Sequence, residues 1–480
     1  MNFKKYFIIL ISAGLIGGLW SCGNYKAVTF KPTVALPDTF KNQHDTLTSA
    51  NLPVHAFFKD AYLLRLIDSA MTSYPDVLAA YQRIQIAEAQ LNFAKSARLP
   101  QVDLNLSAGI ERYGDYTMNG VGNYDTNLSP NISNNQRIPT PTTDYFAGFR
   151  STWEVDIWGK LKNQQKASLS RFLATQNGFQ WVKTELAAAI ATQYYKLLAL
   201  DIESAIIQKN IRYQENALEI VKVQKVGGRA TELAVQQFVA QLAHTQALYH
   251  STAQQITEAE NQLKLLTGRF SPKIDRDTSI MSLRVPDQLN TGVPAQMLLN
   301  RPDVRQAEFE LLAMNADIRS ARAAFFPALT LTPYVGYNAF KAALLFNPGS
   351  AVFGVIGGLT APVLNRKKIK AEYNTKVAEA KIALSNYQKT ALTGYKEVMD
   401  NLKGMENYAN YYKLKTQEVS ALRNAVSVAD DLYLVGRASY LEVITAQRNV
   451  LDAELELAVS KKDIYLSQVN LYRALGGGWK

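Results

Sequence analysis

A single cysteine, Cys22, stands in a chain of 480 residues. It cannot close an intrachain disulfide or build a cysteine-rich zinc or iron–sulfur site, so it acts alone, pairs between chains, or does nothing. Histidine is nearly as scarce, and the four (His44, His55, His244 and His250) form no HExxH or comparable ligand pattern. His244 or His250 could be imagined beside Glu258 as metal ligands, but solvated or helix-packed histidine is the simpler reading. Beyond the N-terminus no run of about 18 uncharged apolar residues occurs, which excludes a bundle of membrane-spanning helices. A phosphate-binding glycine loop and a GxSxG turn are also missing. Glu154 and Asp156 are the obvious carboxylate pair, yet residues two apart on a strand share a face, and no remaining part of a catalytic motif accompanies them. No enzyme activity is expected, and lining a lumen is the better reading of the pair.

What is present begins with an address. Met1 to Ser21 reads as an export signal: Lys4 and Lys5, an apolar stretch from Tyr6 to Leu19, then small or neutral residues up to Cys22. Leu19-Trp20-Ser21-Cys22 resembles a bacterial lipobox, where a diacylglycerol is joined to the thiol and the chain is cut before the cysteine. Trp20 is bulkier than the usual occupant, and an ordinary signal with an incidental cysteine is the alternative. A diacylglycerol and an N-acyl chain on Cys22 are the covalent groups expected, with no other cofactor and no metal. Loss of Lys4 and Lys5 lowers the formal charge from +11 to +9. An exported lipoprotein does not meet chromosomal DNA, so this charge is assigned to solvated helix faces and no nucleic-acid partner is expected. Gly23 follows the cysteine, with no acidic residue there to suggest retention at an inner membrane.

Proline is absent from two long intervals, Thr142–Ser271 and Val363–Lys480. Because proline costs a helix interior about 3 kcal/mol, such intervals permit very long helices. Each follows the same order of events. Tyr74-Pro75-Asp76-Val77 opens a helical segment closed by Arg98-Leu99-Pro100; Arg301-Pro302-Asp303-Val304 opens one closed by Phe325-Phe326-Pro327, a shift of 227 at both ends. Further on, Val226-Gly227-Gly228-Arg229-Ala230-Thr231-Glu232-Leu233 matches Leu434-Val435-Gly436-Arg437-Ala438-Ser439-Tyr440-Leu441, and Leu266-Thr267-Gly268 matches Ala474-Leu475-Gly476, both with a shift of 208. Four landmarks in register indicate a duplicated unit, with the length difference confined to one loop after Pro100.

After each closing proline the periodicity changes to two. Val102, Leu104, Leu106, Ala108 and Ile110 alternate with polar residues or glycine, as do Tyr145, Ala147, Phe149, Trp153 and Val155 on the return. In the second half Leu329, Leu331, Val335, Tyr337 and Ala339 form one row; Phe353, Val355, Leu359 and Ala361 form another, less clean because Val352 and Ile356 take the opposite face. Strands of about ten residues suit an outer-membrane barrel wall. Residues 112–143, rich in Asn, Gly, Thr and Pro, are expected to form an exposed loop. Four strands cannot close a membrane barrel, so several chains contribute; a dimer would supply eight and a trimer twelve, and arithmetic does not choose.

The long helices run from Leu161 to about Val226 and from Ile369 to about Val435, each able to reach roughly 100 Å at ~1.5 Å per residue. Each meets a Gly-Arg turn and returns through a second helix. Their apolar positions, such as Val235, Phe238 and Leu242, lie at three- and four-residue spacing and read as helix seams.

The lipobox, the duplicated Pro-Asp-Val helix with its Arg-Leu-Pro and Phe-Phe-Pro boundaries, the Trp153-Glu154-Val155-Asp156-Ile157-Trp158-Gly159-Lys160-Leu161 passage and the Gly-Arg-Ala turns together resemble the TolC-like outer membrane factors, above all their lipid-anchored drug-efflux branch. The resemblance implies a mostly α fold with a transmembrane β-barrel: a homotrimer with four strands per chain, a twelve-stranded barrel and an α-helical tunnel in the periplasm. It divides the chain into a signal (1–21), an N-terminal extended segment (22–60), a first repeat (61–267, with its β-hairpin at about 101–158), an equatorial segment (268–300), a second repeat (301–476, β-hairpin at about 328–362) and a tail (477–480). It also implies docking to a periplasmic adaptor and to an inner-membrane pump, of the resistance-nodulation-division type or another exporter. The helix tips would contract into a gate, and the candidates are Gly228, Arg229, Glu232, Gly436, Arg437, Glu442 and Arg448. Related sequences often carry Asp at the place of Thr445, so Glu442 or Arg448 is expected to act instead; solvated helix charge is the plain alternative. Protein secretion or metal-ion efflux remains open as the cargo, and a structural coiled-coil lipoprotein is the reading from a different class.

Overall fold

The computed structural model describes residues 28–40, 48–269, 273–279 and 292–479. The export signal and Cys22 lie outside them. The described chain forms two compact units, one holding residues 28–31, 86–172 and 310–384, the other the remainder.

In chain order the elements are α1 (Val54–Phe57), α2 (Ala61–Ser73), α3 (Pro75–Ser96), β1 (Gln101–Glu111), α4 (Met118–Leu128), β2 (Thr142–Val155), α5 (Lys160–Val226), α6 (Glu232–Thr267), α7 (Pro294–Asn300), α8 (Pro302–Ala323), β3 (Ala328–Ala339), β4 (Ala351–Thr360), α9 (Arg366–Leu434) and α10 (Tyr440–Ala474). The duplication is visible in their lengths: 22 residues in both α3 and α8, 67 and 69 in α5 and α9, 36 and 35 in α6 and α10.

In the first unit β1 to β4 form one antiparallel sheet in sequence order. The ladder between β2 and β3 skips from Arg150↔Tyr334 to Trp153↔Leu331, because Pro333 has no N–H to give. Gly148 lies directly opposite Gly336, where a Cβ would come within 2.4 Å of the Val335 carbonyl oxygen. The Trp153–Leu161 passage fastens the sheet to its helices. Trp158 Nε1 donates to the Pro327 carbonyl at 2.7 Å, Trp153 Nε1 to that of Arg98 at 3.0 Å, and the Asp156 carboxylate accepts from Leu161 N–H and Lys162 N–H to cap α5. Asp156 therefore serves the helix start, while Glu154 is paired with Lys160 at 2.9 Å. Ile318, Ala321, Tyr373 and Ala380 form this unit's small helical core.

Two expectations of irregular chain are corrected. The loop between β1 and β2 contains α4, because Thr117 caps it by accepting from Gly120 N–H at 3.1 Å and the Asn127 side chain binds it to the Ile138 backbone. In the segment before residue 60, the described residues 28–37 carry no regular element, but helical turns stand at 49–51 and 54–57, with Thr48 capping the former through Ala50 N–H.

In the second unit α2 buries Leu63, Ile67 and Ala70 against the middle of α5 (Ile190, Tyr194, Leu197, Leu198), the end of α6 (Leu263, Leu266) and Tyr465, Val469 and Tyr472 of α10. Asp60 caps α2 through Tyr62 N–H and accepts the Tyr194 hydroxyl at 2.5 Å. Of the inter-repeat residues, Arg276 pairs with Asp201 and Glu260, each at 2.5 Å. Arg301, only 1% exposed, grips Asp303 with two nitrogens (3.0 and 2.7 Å), Glu397 (2.8 Å) and the Ala474 carbonyl (2.9 Å), beneath the Trp181 ring. Burial pulls against its charge, but Asp303 and Glu397 overcome this and hold the guanidinium above its ordinary value.

Candidate functional site

A duct needs a wall that separates lipid from water, and the sheet supplies one by register. Leu104, Phe149, Val335 and Phe353 are directly opposed across the four strands, and so are Leu106, Ala147, Tyr337 and Ala351. Every apolar row of the sequence thus falls on one face. That face is bare: Leu106 is 71% and Phe353 86% exposed. The opposite face carries Asp103, Asn105, Arg150, Thr330 and Asn338, with Phe146, Val352 and Ile356 among its apolar exceptions. Neither β1 nor β4 has a strand on its outer edge among the described residues.

The hairpin tips are built in the second unit. After α5, Gly228 takes φ 74° and Arg229 N–H returns to the Gln224 carbonyl at 2.8 Å; after α9, Gly436 takes φ 73° and Arg437 N–H returns to Leu432 at 2.8 Å. Glycine is needed at both places because a side chain is strained at positive φ. The next step differs between the tips. Glu232 is ion-paired across the first turn with Lys225 and accepts from Gln236 at 2.7 Å; these contacts, the Lys225 bond foremost, hold its carboxyl below the usual range. Glu442 instead closes a capping box on Ser439, accepting its N–H at 2.6 Å and its hydroxyl at 2.9 Å, and the backbone bond chiefly lowers its pKa. Arg229 and Arg437 are exposed, and Arg448 Nε lies 4.0 Å from Asp452.

The two tips are joined within one chain. Val221, Phe238 and Val443 share a buried cluster, and the Tyr213 hydroxyl donates to the Asp430 carboxylate. Burial, then Asp430, pushes the Tyr213 phenol up to about 12. Gln214 and Gln447 are buried with their amide groups unpartnered among the described residues. Sequence reasoning missed the Tyr213 to Asp430 tie and the buried glutamines, since no motif marks contacts more than two hundred residues apart.

A sheet with one bare apolar face, joined in sequence to long duplicated hairpins, fits a known group. The sequence model of a family described as "outer membrane efflux protein" matches residues 66–269 and 293–477. The chain belongs to that family. It is therefore an outer membrane protein of efflux, and the family forms channels rather than an enzyme class. The solvent efflux pump outer membrane protein SrpC of Pseudomonas putida is 29% identical over 426 residues, covering 88% of this chain and 87% of SrpC. The probable outer membrane lipoprotein SilC of Salmonella typhimurium is 29% identical over 484 residues, 98% of both chains. The cation efflux system protein CusC of Escherichia coli (strain K12) is 26% identical over 457 residues, covering 93% of this chain and 94% of CusC. A solved CusC structure shares the fold, with a TM-score of 0.80 at 24% identity over 94% of this chain and 99% of that one.

Proposed function

We propose that three copies of this chain assemble into the outer-membrane duct of a tripartite efflux system. The sheet carries the reading: a bare apolar face and two unpartnered edges are untenable in lipid, where every backbone group must be paired. Four strands fall short of the roughly eight that a barrel requires. β1 and β4 run in opposite directions, so β4 of one copy can continue antiparallel onto β1 of the next, and three copies close twelve strands. A periplasmic adaptor docks on the duct, and an inner-membrane exporter of the resistance-nodulation-division or another type supplies the energy. Cargo is drugs or other small molecules, as the solvent efflux of SrpC supports; the likeness to CusC favours metal ions as the second reading. Cys22 carries the lipid of a lipoprotein, a reading supported by the likeness to SilC, and an unmodified Cys22 in a mass spectrum would overturn it.

Among the tip charges, Arg448 is the one we assign to the gate, with Arg229 and Arg437 at the turns; Glu232 and Glu442 are engaged by their own turns. Planar-bilayer recording of the purified full chain tests both levels. Wild type should run as a heat-dissociable trimer and conduct, and Arg448→Ala should raise conductance while Glu442→Gln leaves it unchanged. A non-conducting monomer would sink the duct, and an unaltered Arg448→Ala channel would remove that residue from the gate. A deletion strain that gains sensitivity to metal cations but not to solvents or dyes would replace the small-molecule reading by the metal-ion one.

A further inference from the structure

The loop joining β1 to β2 holds a helix that is amphipathic in reverse. At ~100° per residue, Met118, Val121, Tyr124 and Leu128 of α4 fall within an arc of roughly 120°, and Gly120, Asn123 and Asn127 lie on the opposite side. The polar side is the one facing the protein. Asn127 exchanges two hydrogen bonds with the Ile138 backbone at 2.9 and 2.8 Å, and Asn123 donates to Thr142 Oγ1 at 3.2 Å. Gly120 sits so close to Gly114 that a Cβ would lie 2.1 Å from its carbonyl oxygen. The apolar side looks outward, with Val121 57% and Tyr124 71% exposed. The loop joining β3 to β4 likewise leaves Phe346 73% exposed.

These two features flank opposite edges of the same sheet. α4 follows β1, one unpartnered edge, and Phe346 precedes β4, the other. Within a chain the arm at 134–142 stands between them, its Asn134 and Asn135 carbonyls accepting from Lys341 at 2.8 and 3.1 Å. We infer that α4 docks on the β3–β4 loop of a neighbouring copy, its apolar stripe covering Phe346 there, as β1 of one copy pairs with β4 of the next. This rests on the trimeric reading above. A lipid surface suits the stripe poorly: residues 113–136 contain no Lys or Arg and two acids, Asp115 and Asp125, whereas helices that lie on anionic headgroups carry a basic polar face. Continuity with the strand edge favours a second copy over an unrelated protein.

The test is cysteine cross-linking of the full-length chain in outer membranes, with the Val121→Cys, Phe346→Cys double variant and each single variant as control. Mild oxidation should give covalent dimer and trimer bands in the double variant alone, lost on reduction. Unheated gel mobility reports assembly separately. A stable trimer without the cross-link overturns the docking alone, and loss of the trimer in wild type overturns the assembly on which it rests. A fluorophore on Val121→Cys that is quenched by brominated lipid, or by iodide in the intact trimer, would hand the stripe to membrane or solvent and equally overturn the inference.

Discussion

Replacing Arg301 with Met keeps most of the side-chain volume but withdraws the only cation that Asp303 grips among the described residues. Removing one partner of a buried ion pair costs ~3–5 kcal/mol, because the other charge stays behind without its solvation. Here the lower end applies. Arg473 Nη2 remains 3.3 Å from Glu397, so the uncompensated charge is chiefly Asp303, with 15% of its side chain exposed. The Ala474 carbonyl and the Trp181 ring lose their contacts as well. At about 1.4 kcal/mol per tenfold, a loss of ~3 kcal/mol raises the population of the locally opened state roughly a hundredfold. Amide hydrogen exchange reads this directly at Arg305, whose N–H bonds the residue 301 carbonyl at 3.1 Å, and at Leu475 just past the Ala474 carbonyl. Adding Asp303→Asn should recover part of the protection, since a neutral amide leaves no stray charge. Arg301→Lys should fall between, keeping charge but losing the planar fork. Wild-type protection in Arg301→Met, or no recovery in the double variant, would refute the reasoning.

The Tyr213 phenol, raised by burial and by Asp430, should hold its tie fully below the ordinary value of 10 and lose it as pH climbs through about 12. Ultraviolet difference titration of wild type against Tyr213→Phe should show that late ionisation, brought partly down by Asp430→Asn; a transition at 10 in wild type would contradict it. Gly148→Ala pushes a methyl to 2.4 Å from a facing carbonyl oxygen and should abolish the heat-dissociable trimer, whereas Gly109→Ala, whose nearest neighbour is 3.9 Å away, should assemble normally. Gln447→Leu removes a buried amide without partners among the described residues and should stabilise the tip by about 1–3 kcal/mol in denaturant titration. A lowered midpoint would mean the amide finds a partner in the assembly.

Much of this architecture is legible in the chain because the signals are periodic. Strand parity assigns Leu104, Phe149, Val335 and Phe353 to one face, and antiparallel register then stacks them. The repeat is readable from prolines and glycines, whose backbone demands survive when side chains drift. Three features escape such reading. α4 hides in Asn, Gly and Thr because its stability comes from a cap, from Asn127 bonded to the Ile138 backbone and from Asn123 bonded to the Thr142 hydroxyl rather than from an apolar inner face. Arg301 stands in a recognisable motif, yet its partner Glu397 is 96 residues away and no local pattern announces it. At the tips the sequence offers two acids near two similar turns, and only geometry reveals that they do different work.

That difference has its own consequence. The first turn is fastened by an exposed Lys225 to Glu232 ion pair, which salt weakens over a Debye length of ~8 Å. The second is fastened by hydrogen bonds from Ser439 to Glu442, which salt barely touches but which protonation breaks as pH falls below the ordinary carboxylate value and through the lowered one. Duplication has thus left two latches that both give way in acid, where Glu232 and Glu442 take up a proton, but of which only the first gives way to salt. In the proposed trimer, salt in a cell's surroundings would loosen one set of arms while the other stays shut.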